Sequence, residues 1–476
     1  MRGGRFFVAT ASVLVLVVGA PAAAPSSPSS PAVAASISGR YVVGFHSPPP
    51  REVLDRFLAA GARGVTPLST VNAAIVEAPL GTVLRASRWR EVAYVEADGV
   101  ARVTNYQTAE QTGEGRVRRG APPLPKPLSG RGVTVAVVDL GIDTNHEDLA
   151  GQVVEELFFE AAYPLVGLVP ESTRDEVVRA VPGVNRMATT HGLSVGGVIA
   201  GTGEMARGGV DMRGLAPAAR LVDFNICCAT LVGEQLTKQD LFGTTAILAY
   251  DYMLRHRRDT LFPGGIRIAS NQWGFYPDEP YPKKTLHALF RKTMAAGIAV
   301  VFSAGNDGPA PNTIYSPMNE VREIITAGVS CPAVDGGGEV AGGGPCGRGE
   351  IAEYSSRGPA LDLTAPGAGI WAPKNASYIT QDSGELPPPD DPSSSAWNRL
   401  WYGKFGGTSA AAPYVSGVIA LMLEVNPRLT SGQIERILTR TARDYGRRGF
   451  DTTFGWGEVD AFGAVKEAWK VRPRAR

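Results

Sequence analysis

The sequence is short of several things, and each shortage excludes a class of function. Its 476 residues include 4 Cys, 5 His and 8 Met, with aromatics at 8%. The 47 basic residues are matched by 46 acidic ones, a net charge of +1, so no bulk field is available to hold a nucleic acid or an anionic membrane. Any ligand must be recognised locally. Neither cysteine pair has zinc-finger spacing. There is no repeat of solenoid type, and Gly and Pro, at 57 and 36 residues, fall below the level of a low-complexity chain. With 44% hydrophobic and 20% charged residues, disorder and fibrous structure are excluded. Beyond residue 18 no run approaches the roughly 18 uninterrupted apolar residues of a membrane helix, and no Cys follows the leader to take a lipid. The mature product is expected to be soluble.

The first five residues carry two arginines, residues 6–18 are almost wholly apolar, and Ala22-Ala23-Ala24 offers a small-x-small cleavage site. This is the layout of a secretory signal peptide over 1–24, followed by a Pro/Ser/Ala-rich linker over 25–39, and it predicts a secreted, extracellular product. In an exported chain cysteine pairing is plausible, with three connectivities available to four residues. Cys331 and Cys346 flank a Gly-rich loop and are the favoured pair. Cys227 and Cys228 are adjacent, where a disulfide is strained, which leaves them free, buried or paired elsewhere.

Length alone allows about three domains of about 150 residues each. Residues 40–103 read as strand (41–45), helix (51–60), strand (73–78), helix (83–88), strand (92–96), a small α+β unit. Residues 104–127 turn polar and Pro/Gly-rich, with Arg116, Arg118 and Arg119 close together, which predicts an exposed linker open to proteolysis. From 128 to 472 the pattern changes. Continuous β-branched runs at 133–138, 220–224, 266–269, 298–302 and 324–327 alternate with helical patterns such as 238–257 and 285–296. Strand alternating with helix predicts an α/β fold with a mainly parallel sheet covered on both faces, its sites at the carboxyl ends of the strands. Residues 384–395, with Pro387-Pro388-Pro389 and Asp390-Asp391, read as an exposed loop insertion.

Three short segments carry candidate chemistry. Val135-Ala136-Val137-Val138-Asp139-Leu140-Gly141 places a carboxylate where a buried strand emerges. Thr190-His191-Gly192-Leu193-Ser194-Val195-Gly196-Gly197 opens a helix of small residues with a histidine. Gly406-Gly407-Thr408-Ser409-Ala410-Ala411-Ala412-Pro413 sets a serine at the first turn of an apolar helix. Free N–H groups and the helix dipole there favour negative charge on an adjacent carbonyl oxygen. Pro413 is compatible with that helix only if it begins near Ser409, where the missing N–H is an orphan in any case. Alone, each segment is more easily a capping Asp, a structural His or a packing motif. Together they supply an orienting acid, a base and a nucleophile.

With these motifs in the order Asp, His, Ser, the chain resembles the subtilisin-like serine proteases, the subtilases of peptidase family S8. The resemblance implies Asp139 as orienting acid, His191 as general base and acid, and Ser409 as nucleophile. Ser303-Ala304-Gly305-Asn306 resembles the family's oxyanion motif, which implies Asn306 as a donor to the oxyanion. It further implies a three-layer fold preceded by a ferredoxin-like inhibitory propeptide of the I9 type over 40–103. Such a precursor processes itself in the 104–127 linker, uses no cofactor for catalysis and acts on peptides or proteins, as a monomer. Ser270-Asn271-Gln272-Trp273-Gly274 resembles the substrate-binding edge strand, which implies Gln272, Trp273 and Gly274 as substrate-binding residues. Asp148, in His146-Glu147-Asp148-Leu149, matches a position that binds structural calcium in many relatives. Thr430 and Gln433 read as the capping box of a final helix. Some positions depart from the pattern: Leu140 stands where a Ser or Thr follows the acid, Leu193-Ser194 replace Thr-His, and Gln272 replaces a serine. Leu140, Leu193 and Ser194 favour a second reading, a catalytically weakened or inactive relative that binds peptides or partners, whereas Gln272 bears on the side-chain preference. A lipase or esterase is disfavoured, because no Gly-x-Ser-x-Gly elbow surrounds Ser409.

Overall fold

The structure is a computed structural model that describes residues 39–68, 70–97, 100–103, 112–159, 178–179, 190–206, 211–232, 235–276, 280–331, 346–347, 349–374 and 401–471. The signal peptide, the loop at 384–395 and residues 104–111 of the linker lie outside the described residues.

The small N-terminal unit runs β1 (Arg40–Phe45), α1 (Arg51–Ala59), β2 (Gly64–Leu68), β3 (Ala73–Glu77), α2 (Leu80–Ala86) and β4 (Val92–Ala97). Its strands form one antiparallel sheet in the order β2-β3-β1-β4. The sequence pattern gives three of these strands and no β2. That strand contains Pro67, which reads as a breaker, but β2 lies at the sheet edge, where a missing ladder donor is tolerated. Helix α1 forms because Val53 and Phe57, four residues apart, share one buried stripe. The sheet contributes Val42, Leu68 and Ile75 to an apolar cluster that also holds Ile247, Tyr250 and Leu289 of the larger unit. Polar contacts reinforce this seam. Asp251 accepts from the N–H (2.9 Å) and the hydroxyl of Thr70, and the Tyr94 hydroxyl meets Thr285 Oγ1 at 3.0 Å.

After β5 (Val100–Val103) comes α3 (Glu114–Arg118), where part of the stretch expected to be an exposed linker is docked. Val117 is buried, the Tyr414 hydroxyl bonds both Glu114 (2.5 Å) and Thr112 (2.6 Å), and the Arg116 guanidinium stacks 3.6 Å over the Phe462 ring. Arg118 donates to Asp211 and to the carbonyls of Arg213 and Gly214. Between 112 and 118 several polar side chains are therefore used for docking, while residues such as Arg119, Pro122 and Pro123 stay exposed.

The larger unit is built on β6 (Thr134–Asp139), β7 (Val153–Phe158), β8 (Val178–Arg179), α4 (Thr190–Ala200), β9 (Arg220–Asn225), β10 (Cys227–Val232), β11 (Gln235–Phe242), α5 (Gly243–His256), β12 (Ile266–Asn271), β13 (Trp273–Gly274), α6 (Lys283–Ala295), β14 (Ala299–Ser303) and β15 (Ile325–Ser330). It closes with β16 (Leu363–Pro366), β17 (Ala368–Pro373), β18 (Tyr402–Gly406), α7 (Thr408–Val425), α8 (Ser431–Thr441) and α9 (Ala461–Lys470). The main sheet has the order β16-β15-β14-β12-β6-β9-β7-β8, parallel except for β8. Alternate residues feed opposite layers, as a two-face strand requires. Val135 and Val137 pack with Leu193 of α4 and Val415 of α7, whereas Ala136 and Val138 pack with Tyr250 of α5 and Phe290 of α6. This is the three-layer α/β architecture expected.

The helix expected over 238–257 begins later. Residues 235–242 form β11, paired with β10 and, through Leu241 and Phe242, with β5, so long-range pairing overrides the local helical pattern. Cys227 and Cys228 lie in β10, and their side chains are outside the described residues. The capping box of α8 forms, with Gln433 N bonding Thr430 Oγ1 at 3.3 Å and Thr430 N bonding Gln433 Oε1 at 2.9 Å. By length and composition α7 is apolar enough to cross a membrane, but 89% of it is buried inside the protein.

Candidate active site

Asp139 is the last residue of β6, at the carboxyl edge of the sheet. Its side chain is 1% exposed, and Oδ1 accepts from Leu140 N (2.7 Å) and from His191 Nδ1 (2.6 Å). His191 is the second residue of α4. Its ring is buried and stands edge-on to Phe405 at 5.5 Å. The next residue must be glycine: a Cβ on Gly192 would press into the carbonyl of Gly141, in the turn that follows Asp139. The close approach of α4 to that turn is what brings the imidazole to the carboxylate.

Ser409 is the second residue of α7, and α4 and α7 pack against each other. Gly407, at φ +87°, turns the chain from β18 into this helix at an angle that disfavours other residues. Pro413 is the sixth residue of the helix, so the site gives up one helical hydrogen bond, which corrects the view that its N–H is an orphan. Asn306 follows β14. Its Oδ1 accepts from Thr408 N (3.0 Å) and Thr408 Oγ1 (2.8 Å), while Thr408 Oγ1 accepts from Gly305 N (3.1 Å). The amide oxygen is thereby committed to Thr408, which leaves Nδ2 as the outward donor.

Two residues beside Asp139 have placements that the sequence reading did not assign. Asp223 sits on the adjacent strand β9, with Oδ2 accepting from Ile142 N at 3.0 Å. Burial raises its carboxyl well above the usual range, with Glu156 and Asp139 adding to the shift, which favours its protonated form. An acidic residue inside the apolar run Arg220-Leu221-Val222-Asp223-Phe224 was the available signal. The second is Gln272, expected to bind substrate. Its side chain is fully buried, with the amide lying against Asp139 Oδ2.

Trp273 is likewise buried, packed against Phe302 (5.0 Å) and Phe275 (5.9 Å). In the full chain the side chains of Gln272 and Trp273 are packed inward, and the backbone edge of this segment faces β5. That edge is in use: Trp273 pairs with Val103 and Gly274 with Arg102, both antiparallel, while the other edge of β5 pairs with β11.

Asp148 sits in a 3₁₀ turn (Glu147–Leu149). Its Oδ1 accepts from Tyr402 Oη at 2.7 Å, and burial raises its pKa, opposed first by that bond. Its neighbours are Tyr402 and His146, and among the described residues no group of three or more His, Cys, Asp or Glu is placed to hold a metal ion. Calcium needs six to eight oxygens, and the side chains seen beside Asp148 supply only part of such a set. Cys331, just after β15, is joined to Cys346 by a disulfide with Cα atoms 5.5 Å apart.

Comparison with known proteins places this geometry. The chain is 29% identical to fervidolysin from Fervidobacterium pennivorans over 342 residues, covering 71% of this chain and 41% of that protein. It is 30% identical to mycosin-1 from Mycobacterium tuberculosis over 360 residues, covering 72% and 70%. The crystal structure of fervidolysin, described as a keratinolytic enzyme related to subtilisin, superposes with a TM-score of 0.60 at 20% identity, over 90% of this chain and 61% of that one. The chain thus spans less than half the length of its fervidolysin relative. The subtilase family model matches residues 130–457, which cover Asp139, His191, Asn306 and Ser409, and the chain belongs to the subtilase family.

Proposed function

We propose that this chain is a secreted serine endopeptidase made as a self-processing precursor. The observation that carries the reading is the buried 2.6 Å bond between His191 and Asp139, on a helix packed against the one that begins Thr408-Ser409. Asp139 fixes the imidazole with Nδ1–H inward and offsets the charge the ring acquires, leaving Nε2 as the base. His191 takes the Ser409 proton as Oγ attacks the scissile carbonyl. The oxygen that becomes negative is met by the Ser409 N–H at the helix N-terminus and by Asn306 Nδ2, whose orientation is fixed before substrate arrives. The amine leaves with the proton from His191, and water hydrolyses the acyl-enzyme by the same steps.

A substrate peptide joins the edge of β13 as an added strand, so main-chain bonds carry much of the binding. Residues 100–103 lie on that edge in this chain, which supports reading 40–103 as an inhibitory pro-unit. Glu96 adds to its docking by accepting from Lys284 N and Thr285 N at the start of α6, where a negative charge is favoured.

The test is to express the precursor beside Ser409→Ala, follow both by intact mass, and add a fluorophosphonate that labels activated serines. The wild type is expected to shed its N-terminal unit and take the label, and the variant to do neither. Two folded, full-length, unlabelled proteins would instead support the inactive relative that binds peptides or partners.

A further inference from the structure

A buried carboxylate needs donors at both oxygens. Asp139 Oδ1 has two, from Leu140 N and His191 Nδ1. Neither serves Oδ2, and the side chain that follows Asp139 is apolar. The group against Oδ2 is the amide of Gln272, at the bend between β12 and β13.

This amide satisfies its surroundings one way round. With Nε2 toward Asp139 Oδ2 at 2.9 Å, Oε1 accepts from Ser270 Oγ (2.8 Å) and Asn271 N (3.3 Å). Turned over, its oxygen would face the carboxylate and its nitrogen a backbone donor. Ser270 is in turn held from α7: Ser416 Oγ shares its proton between the Ala412 carbonyl (3.0 Å) and Ser270 Oγ (2.9 Å). Each hydroxyl carries one proton, so the chain has a single sense, from Ser416 to Ser270 to Gln272 to Asp139. It links the helix that bears Ser409 to the acid behind His191.

We propose that Gln272 is a positioning residue for the reaction: its amide N–H holds the Asp139 carboxylate so that Oδ1 faces His191. Gln272 touches neither substrate nor reacting atoms and acts through Asp139. The inference rests on the peptidase reading of the site.

The test compares wild type, Gln272→Met and Gln272→Glu on a peptide p-nitroanilide across pH. Methionine keeps the volume and removes the hydrogen bonds. It is expected to lower kcat by about tenfold to a hundredfold with KM nearly constant, because a misaimed base costs rate and leaves binding intact. The acid limb of kcat/KM is expected to move to higher pH, since a carboxylate that has lost a donor holds the imidazolium more tightly. Asp223 and Glu156, the other acids beside Asp139, are unchanged by the substitution.

Glutamate donates to Oδ2 when protonated and repels it when ionised, so Gln272→Glu is expected to lose activity with rising pH through an ionisation the wild type lacks. This second variant keeps the test open if Gln272→Met fails to fold. A third readout needs no turnover: in a Ser409→Ala background, Gln272→Met is expected to shift the His191 titration followed by NMR. Wild-type kcat and an unmoved pH profile in either variant, with the wild type active, would overturn this inference alone. A wild type that neither cuts the p-nitroanilide nor takes the fluorophosphonate would overturn the peptidase reading and this inference with it.

Discussion

Gly192→Ala is the most demanding perturbation of the site, because it adds one methyl group and removes no polar atom. The new Cβ would lie 2.7 Å from the carbonyl carbon of Gly141, against about 3.4 Å for ordinary contact, with the carbonyl oxygen still closer. Backbone stands on both sides of this contact, so no side chain is available to swing away. The first turn of α4 must retreat from the Asp139 turn by at least about 0.7 Å, the difference between those two distances. The His191–Asp139 bond then stretches from 2.6 Å to the outer limit of hydrogen bonding, about 3.2 Å or more. A displacement of this size at a catalytic base costs on the order of a hundredfold in kcat. The strain of overpacking costs about 1–3 kcal/mol of stability. The assay is kcat and KM on a peptide p-nitroanilide, with thermal unfolding to show that the fold persists. A folded Gly192→Ala protein within threefold of wild-type kcat would refute the reasoning, since α4 would then have a freedom that the close approach denies it.

Asp362 is partly buried, and burial raises its carboxyl pKa from 3.8 to about 8, opposed by its bond to Thr326 N. Its folded pKa lies above the unfolded one, so its contribution is fully present below pH 4 and lost as pH rises toward 8. Asp362→Asn keeps an acceptor for Thr326 and is expected to gain unfolding midpoint relative to wild type as pH rises from 5 to 8; an equal difference at both pH values would contradict this. Tyr414→Phe removes the hydroxyl shared by Glu114 and Thr112 and leaves a buried carboxylate short of a donor, so urea titration should show a loss of about 1–3 kcal/mol. Replacing both Cys331 and Cys346 with Ser opens a loop of sequence separation 15. The chain-entropy view expects a loss of about 3 kcal/mol, and an unchanged midpoint would mean that the folded state alone holds that loop.

Much of the α/β layout was legible because parallel strands covered on both faces leave continuous apolar runs, and β6, β9, β12, β14 and β15 all lie on such runs. The positions of Asp139, His191 and Ser409 were legible because strand ends and helix starts are marked locally by glycine, threonine and the end of an apolar run. What escaped depends on partners distant in sequence. Pro67 reads as a breaker until the strand is known to be an edge. The stretch before Gly243 reads as helix until β5 and β10 are known to pair with it. Arg118 reads as a solvated charge until the carbonyls of Arg213 and Gly214 arrive. Gln272 stands in a segment that resembles a substrate edge, and nothing local reveals that its side chain turns inward to meet a carboxylate from another strand.

The helix that bears Ser409 is deeply enclosed, with every residue from Thr408 to Leu423 buried. Segments of that kind open to solvent only in the largest unfolding events, whereas exposed loops open far more often. The amides in the middle of this helix, from Tyr414 to Leu423, are therefore expected to be among the slowest to exchange hydrogen, at a rate set by global unfolding. Heating should accordingly show no interval in which the chain is folded but the serine is out of place: loss of the nucleophile's setting and loss of the fold are one cooperative event.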